Sequence, residues 1–205
     1  MSQVMKLARV TECEGLSLTV LKPGLAGAIP TRTDIPLNAY MLGYPTRPVE
    51  YHGPELDASF INGNGHDKPT GILQYVGRGI EAFPNTGDPV EDLINLIYAL
   101  SPEHRARGAF IMGRETLRAV RGLKDADGRF IFRSGLSVGD PDRLLGYPLI
   151  CIDAMPEPNE GKPSILFGDF DEGYTIARGP YKQGQESIKI GGHVTNPDAI
   201  KALLV

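Results

Sequence analysis

Three neighbouring side chains, His66, Asp67 and Lys68, form the local cluster best suited to acid–base chemistry. An imidazole beside a carboxylate can take up and return a proton near neutral pH, so a small hydrolase that uses this loop is one hypothesis. The weak point of this hypothesis is the nucleophile, because no serine of the sequence lies in a Gly-x-Ser-x-Gly elbow. We therefore keep it as the weaker of two interpretations.

The glycine-rich segment that contains this cluster, NGNGHDKPTG, is a poor candidate for binding phosphate. It lacks the Gly-Lys-Ser or Gly-Lys-Thr ending of a P-loop and the glycine spacing of a dinucleotide site. Asn62-Gly63 and Asn64-Gly65 instead supply positions that tolerate a positive φ angle. The sequence favours a structural turn here, from which the chain leaves along the short run Gly71 to Val76.

Patterns for metal ligation are also weak. The four histidines lie far apart, and none pairs with another at metal-ligand spacing. They are His52, His66, His104 and His193. We expect them in loops or at the surface. Asp125, Asp127 and Gly128 resemble the start of a calcium loop, but no Glu stands at its closing position, so an Asp-Gly hairpin turn explains them more simply.

The acidic and sulfur-containing side chains predict structure and no reaction centre. The acidic residues after Met155 are surrounded by turn residues, which favours a solvated face over paired catalytic carboxylates. They are Glu157, Glu160, Asp169, Asp171 and Glu172. Cys13 and Cys151 lie beside apolar runs, so we expect small core residues. The sequence thus predicts no catalytic, cofactor-binding or metal-binding residue and no cofactor.

The composition indicates the class of protein. A chain of 205 residues that is 41% hydrophobic and 22% charged can bury a good apolar core. Its net charge of −4 disfavours a protein whose main task is to grip nucleic-acid phosphates. No apolar run approaches the roughly 20 residues of a membrane span, which argues against membrane residence. The N-terminus does not read as a secretory signal, so we expect synthesis in the cytoplasm.

The clearest predicted element is a helix over Pro89 to Leu100. Asp88 is placed to cap it, and Glu91 occupies the capping-box position three residues later. The apolar residues of the helix are expected on one buried face. They are Val90, Leu93, Ile94, Ile97 and Leu100. A second start signal, Ser101 followed by Pro102, predicts a short polar helix at the surface.

Around this helix the sequence predicts short strands and few helices, an α+β fold. A compact unit from Gly108 to Asp171 contains a helix over Arg114 to Arg121 that ends at Gly122. The predicted strands are Leu16 to Leu21, Asn38 to Leu42, Ala109 to Met112, Arg129 to Phe132, Tyr147 to Ile152, Ser164 to Phe167, Tyr174 to Ala177 and Ser187 to Ile190. Asn196 is placed to cap a short helix that begins at Pro197.

Several segments taken together resemble a known family. In order they read ASFINGNGHDKPTGIL, DPVEDLINLIYAL, GAFIMGRETLRAVRGLKDADGRFIF, LLGYPLICIDAMP and ILFGDFDEGYTI. From Asp57 to Val205 this succession resembles the major capsid proteins of tailed bacteriophages with the Hong Kong 97 (HK97-like) fold. The closing GGHVTNPDAIKALLV is similar to that family's last strand. The likeness is specific because several motifs agree in order and spacing, and LKDADGRFIF is the best of them.

The resemblance implies two domains. By position, residues 88–163 correspond to the axial domain, whereas residues 57–87 and 164–205 correspond to the peripheral domain. Family members usually begin with an arm, an extended loop and a long spine helix. Residues 1–56 are too few to supply all of these, so they correspond to a shortened N-terminal side, a reduced arm or extended loop.

The resemblance also implies a structural protein and no enzyme. Copies are expected to form homo-pentamers and homo-hexamers that build the icosahedral capsid of a virion, around double-stranded DNA and without sequence-specific binding. Scaffolding, portal and decoration proteins are further expected partners. Edge strands such as Ser187 to Ile190 are expected contact surfaces between copies. The alternative within the same fold is a cellular encapsulin-like or gene-transfer-particle shell protein.

Overall fold

The computed structural model describes residues 3–12, 53–65, 68–135, 140–158, 161–178 and 190–204. Its helices are α1 (Val4–Leu7), α2 (Gly53–Asn62), α3 (Pro89–Tyr98), α4 (Pro102–Ala106), α5 (Arg114–Arg121) and α6 (Phe170–Gly173). Its strands are β1 (Arg9–Glu12), β2 (Glu81–Phe83), β3 (Ala109–Met112), β4 (Phe132–Arg133), β5 (Arg143–Leu144), β6 (Tyr147–Cys151), β7 (Pro163–Gly168), β8 (Tyr174–Arg178), β9 (Ile190–Val194) and β10 (Ile200–Leu204). In the same ranges, 3₁₀ turns span Ile72–Tyr75 and Pro197–Ala199. This mixture confirms the predicted α+β class.

A mixed seven-stranded sheet in the order β2-β10-β7-β3-β6-β5-β4 forms the centre of the molecule. β3 is parallel to β6 and antiparallel to β7. Beyond β7, β10 is antiparallel to β7 and parallel to β2. Every residue of β3 and β7 is buried. Strands that are covered on both faces read as apolar runs, which explains the sequences AFIM in β3 and ILF in β7.

The two faces of this sheet carry separate apolar clusters. Ala109 and Ile111 of β3 belong to one cluster, which α2 and the first 3₁₀ turn cover. Phe110 and Met112 belong to the other, which α3 and α5 cover. The ring of Phe110 lies against that of Phe167, with 4.6 Å between the ring centroids. The alternation of side chains along β3 therefore decides which helices pack on each face.

A smaller three-stranded sheet has the order β1-β8-β9. Ile176 of β8 and Val194 of β9 are buried in the cluster that α2 covers. Asp57 of α2 holds the start of α1, because its two carboxylate oxygens accept hydrogen bonds from the backbone N–H groups of Gln3 at 3.0 Å and Val4 at 2.9 Å. Residues 3–12 are thus attached to the body of the protein by α2 and by the pairing of β1 with β8.

Helix α3 begins where the sequence predicts and ends two residues earlier, at Tyr98. The Asp88 carboxylate accepts a hydrogen bond from the backbone N–H of Val90 at 3.0 Å, which confirms the predicted cap. The predicted buried face is wrong at Ile94, which is 39% exposed, whereas Leu96 is fully buried. At ten residues, α2 and α3 are the longest helices described, and no described helix is long and apolar enough to span a membrane.

Most of the predicted strands in the described ranges are confirmed. Four of them agree with the structure to within one residue at each end, namely Ala109 to Met112, Tyr147 to Ile152, Ser164 to Phe167 and Tyr174 to Ala177. The predicted strand Arg129 to Phe132 is wrong in extent. Here Phe130 forms only an isolated bridge with Lys124, and β4 begins at Phe132. The chain must first complete the Asp-Gly turn, so regular pairing starts later.

Other predictions lie outside the described residues or missed an element. The proposed strands Leu16 to Leu21 and Asn38 to Leu42 lie outside. Of the strand Ser187 to Ile190, only Ile190 is described, and β9 begins there. The helix α2 and the hairpin of β5 with β6 were not predicted. Leu145 and Gly146 turn that hairpin with φ angles of 50° and 90°, a conformation that the sequence signals only through the glycine.

Candidate assembly surface

The loop considered for hydrolase chemistry lies partly outside the described residues. His66 and Asp67 fall in that part, as does His52, while Lys68 is exposed. Beside the loop, the N–H of Gly71 donates a hydrogen bond to the carbonyl oxygen of Gly63 at 3.0 Å. The described flanks therefore close a tight backbone turn, as the asparagine–glycine pairs predict.

The calcium-like motif is structural. One carboxylate oxygen of Asp125 accepts hydrogen bonds from the backbone N–H groups of Asp127 at 3.0 Å and Arg129 at 2.8 Å. Gly128 between them has a φ of 79°, which confirms the predicted Asp-Gly turn. In the part of the chain that the structure describes, no group of three or more His, Cys, Asp or Glu side chains could hold a metal ion.

A polar cluster that the sequence did not reveal surrounds Asp169. The Asp169 side chain is 2% exposed, and Arg107, the residue that follows α4, approaches its Oδ2 at 2.7 Å. The Nδ1 of His104 lies 3.4 Å from the same oxygen, and the other ring nitrogen lies 3.4 Å from the amide nitrogen of Asn196. The backbone N–H of Glu172 donates to Oδ1 at 3.4 Å, so Asp169 also caps α6. The cluster joins α4, α6 and the turn before β10.

These contacts correct two predictions. Asp169 is buried and paired, whereas a solvated face was expected, because it follows the buried strand β7 directly and turns inward to cap α6. His104 is half-buried against it. The expected solvated face does describe Asp171, which is 52% exposed and pairs with Arg9 at 3.1 Å. Glu172 is less exposed, at 17%, and pairs with the same guanidinium.

Cys151 also differs from its predicted position. It is exposed, because β6 ends at this residue and the chain leaves the sheet. Desolvation and the nearby Asp153 carboxylate raise the pKa of its thiol, which disfavours the thiolate that a nucleophile needs. Cys13 lies outside the described residues.

His193 of β9 occupies a half-buried position against the first 3₁₀ turn. Its Nδ1 lies 3.3 Å from the hydroxyl oxygen of Tyr75. The two rings are arranged edge to face, with 6.2 Å between their centroids. Burial lowers the pKa of His193 below its ordinary value of 6.5 and raises the pKa of Tyr75. Deeper in the same region, the Tyr174 hydroxyl donates to the carbonyl oxygen of Thr70 at 2.7 Å.

The lowered pKa of His193 predicts a pH dependence of stability. The His193 imidazole binds a proton more tightly in the unfolded chain than in the folded one. The contribution of neutral His193 to folding stability is therefore fully present above pH 6.5, and it is lost as pH falls through the lower pKa of the folded state. We expect the free energy of unfolding to fall more in the wild type than in His193→Gln between about pH 7.5 and pH 5.5. Denaturant titrations across this range test this, and equal slopes for the two proteins would contradict it.

The outer strands of the two sheets are the surfaces available for pairing with other chains. In the described ranges, these outer strands are β2 and β4 in the large sheet and β1 and β9 in the small one. An outer strand presents backbone N–H and C=O groups on one side, where a further chain can pair. β9 includes Ile190, the described end of the edge strand that the sequence predicts as a contact surface.

The comparisons with known proteins identify the family. The family model described as the Phage capsid family matches residues 53–183. Among solved structures, the capsid of an empty GTA particle is 34% identical, with a TM-score of 0.60, and the match covers 74% of this chain and 60% of that one. The chain therefore spans less than two thirds of the length of that relative. A comparison with curated proteins finds no match.

Two further solved structures cover nearly the whole chain. The capsid of a native GTA particle is 26% identical with a TM-score of 0.66, and the match covers 98% of this chain and 95% of that one. A protein of Microbacterium phage Oxtober96 is 15% identical with a TM-score of 0.58, over 99% and 90% of the two chains, and supports the fold alone. From the family match and the 34% identity, we conclude that the chain belongs to the phage capsid family and has its Hong Kong 97 fold.

Proposed function

We propose that the chain is the shell-forming subunit of an icosahedral phage or prophage head that encloses double-stranded DNA. The observation that carries this proposal is the family match over residues 53–183 on a fold that capsid chains share. Two of the similar structures are capsids computed with C5 symmetry. Rings of identical subunits form through heterologous contacts, in which one surface of a copy meets a different surface of the next.

Within this function we assign residues 88–163 to an axial domain near the ring axis. Residues 57–87 and 164–205 form a peripheral domain, to which residues 9–12 add a strand through the pairing of β1 with β8. This assignment follows the order of the segments that resemble the family. The central sheet joins the two domains, since β7 pairs directly with β3.

We propose scaffolding, portal and decoration proteins as the partners of the chain. The virion is the proposed location, after synthesis in the host cytoplasm. We propose no enzymatic activity.

A gene-transfer-particle shell is the second candidate function. It is favoured by the identity of 34% and 26% to two capsids of GTA particles. Both candidates require the same self-association, and they differ in the nucleic acid enclosed. Sequencing the DNA inside particles purified from the source cell distinguishes them, because a phage head encloses one repeated genome whereas a gene-transfer particle encloses varied cellular fragments.

The mass and shape of the purified chain test the proposed function. Light scattering and negative-stain electron microscopy, over a range of concentrations, are expected to show rings, tubes or closed shells. Such assemblies form because a heterologous contact uses a different surface on each of the two copies. The copies at the two ends of a growing assembly therefore each keep one surface free for a further copy. A strictly monomeric particle at every concentration would contradict self-assembly by this chain.

A further inference from the structure

The sequence contains a single Asn-Pro bond, between Asn196 and Pro197, in the turn before β10. Proline has no backbone N–H, so the common attack of the following backbone nitrogen on an asparagine side chain is blocked at this position. The side-chain nitrogen of Asn196 can instead attack the carbonyl carbon of its own residue, which closes a five-membered ring. Because both atoms belong to one residue, this approach requires only rotations about the side-chain bonds.

The imidazole of His104 lies beside this nitrogen. The Oδ1 of Asn196 accepts a hydrogen bond from the backbone N–H of Asp198 at 3.2 Å, which identifies the other side-chain atom as the nitrogen. That nitrogen, Nδ2, lies 3.4 Å from Nε2 of His104. An amide nitrogen is a donor, so Nε2 must face it with a lone pair, as a general base does.

Asp169 fixes the tautomer of His104 that this role requires. Because Nε2 is an acceptor, the proton of the neutral ring lies on Nδ1, which is 3.4 Å from Oδ2 of Asp169. Arg107 approaches the same oxygen at 2.7 Å, and the carboxylate is 2% exposed. A buried carboxylate that orients an imidazole, which in turn faces a nucleophile, is the arrangement of a catalytic triad. Such contacts are often long in a resting structure and tighten during reaction.

The carbonyl group of Asn196 is polarised by a hydrogen bond. Its oxygen accepts from the backbone N–H of Ala199 at 3.2 Å. A backbone donor at this position stabilises the negative charge that develops as the carbon becomes tetrahedral. Asn196 also caps the 3₁₀ turn Pro197–Ala199. The cap that forms this turn therefore places a nucleophile, a base and an oxyanion donor around one peptide bond.

We propose that the chain cleaves its own backbone between Asn196 and Pro197. The Nδ2 of Asn196 gives a proton to Nε2 of His104 and forms a bond with its own carbonyl carbon. The bond from that carbon to the Pro197 nitrogen breaks, and this nitrogen keeps the electron pair and takes the proton from His104. The products are a C-terminal succinimide on residues 1–196 and a free secondary amine at Pro197. No atom is gained or lost.

This activity goes beyond the shell-forming role, and it occurs once per chain without turnover of a substrate. The cut leaves the fold intact, because β10 stays paired with β7 and with β2 after the connection is broken. Ile200, Ala202 and Leu203 of β10 are buried in the two apolar clusters of the central sheet. The short fragment therefore remains bound under native conditions and is released by denaturant.

Mass spectrometry of the full chain under denaturing conditions tests the proposal. Folded protein is incubated at neutral pH and sampled over days. We expect the peptide PDAIKALLV and, in early samples, a long fragment lighter by one water than the product of hydrolysis at the same bond. Asn196→Asp keeps an oxygen for the cap and lacks the nucleophilic nitrogen, so neither product is expected from it. A folded wild-type chain that stays intact would overturn the proposal.

Two variants test the roles of His104 and Asp169. His104→Gln keeps a hydrogen-bonding side chain and removes the base, so we expect the cleavage rate to fall about 100-fold or more. Asp169→Asn can donate to Nδ1 of His104, which moves the ring proton to Nε2 and slows cleavage. Nitrogen NMR shifts of the His104 ring report the tautomer directly. A wild-type ring with its proton on Nε2 would overturn the assigned base.

The unfolded chain is the control that needs no substitution. In denaturant the Asn-Pro bond is unchanged, but His104 no longer lies beside it, so we expect the chain to stay intact. This comparison decides the matter even where a variant fails to fold. Equal cleavage rates in folded and unfolded wild type, or in folded wild type and folded His104→Gln, would overturn the site, because the local sequence alone would then cause the reaction.

Discussion

Replacement of Gly63 by alanine is expected to prevent stable folding. A Cβ atom at this position would overlap the carbonyl oxygens of Ser59 and Pro69, two backbone atoms that no side-chain rotation can move. The neighbourhood is also fixed by hydrogen bonds, since Gly63 donates to Ser59 at 2.9 Å and accepts from Gly71 at 3.0 Å. We expect a loss of about 4 kcal/mol or more, the range of the largest single substitutions. Denaturant unfolding monitored by circular dichroism measures it.

Gly122→Ala is the matched control, because it makes the same chemical change at a helix end. The nearest atom to a Cβ there is the carbonyl oxygen of Ala119 at 3.7 Å, an ordinary contact, and φ is −84°. We expect the free energy of unfolding to lie within about 1 kcal/mol of the wild-type value. Any gain would arise because alanine restricts the backbone of the unfolded chain. A Gly63→Ala protein that unfolds at the wild-type denaturant concentration would contradict the close approach.

This segment shows how far sequence reasoning reaches. The asparagine–glycine pairs predicted a turn, and a turn is present. The physical reason differs between the two glycines, however. Gly65 has a φ of 76°, which is the predicted use of glycine. Gly63 is needed because two other backbone segments approach it. A single sequence cannot separate these two uses, since the approaching residues are known only after the chain has folded.

Helix α3 shows the same division between local and distant causes. Its start was predictable because the cap uses atoms two and three residues away, at Val90 and Glu91. Its buried face was mispredicted at Ile94 because the sheet beneath the helix, and not the helix itself, decides which stripe is covered. The apolar side chain that the core leaves out is therefore exposed on the surface.

The family was recognisable from the order of its motifs, whereas the polar cluster was not. Asp169 lies 65 residues from His104 in sequence, and His104 lies 92 residues from Asn196. No local pattern joins residues at such separations. They meet only because β7, α4 and the turn before β10 converge at one end of the central sheet.

Asp169→Ala is expected to destabilise the subunit by about 2–3 kcal/mol. The change removes a buried carboxylate that pairs with Arg107 at 2.7 Å, and breaking a buried pair by deleting one partner is costly. Arg107 is itself 58% exposed and stays hydrated, which places the cost at the lower end of the range for buried pairs. The cap on Glu172 is lost as well. The midpoint of denaturant unfolding measures the combined effect.

Two further variants separate the contributions of the Asp169 charge, of the cap on α6 and of the buried position to this loss of stability. Asp169→Asn keeps an oxygen for the Glu172 N–H and removes the charge, so we expect it to lose about 1–2 kcal/mol. Asp171→Ala removes an acidic residue two positions away that is 52% exposed and pairs with Arg9, so we expect less than about 1 kcal/mol. Equal losses in Asp169→Ala and Asp171→Ala would mean that burial does not decide the cost. A larger loss of stability in Asp169→Ala than in Asp171→Ala is the expected result. It would show that, within this acidic region, the buried Asp169 carboxylate that joins α4, α6 and the turn before β10 contributes most to stability.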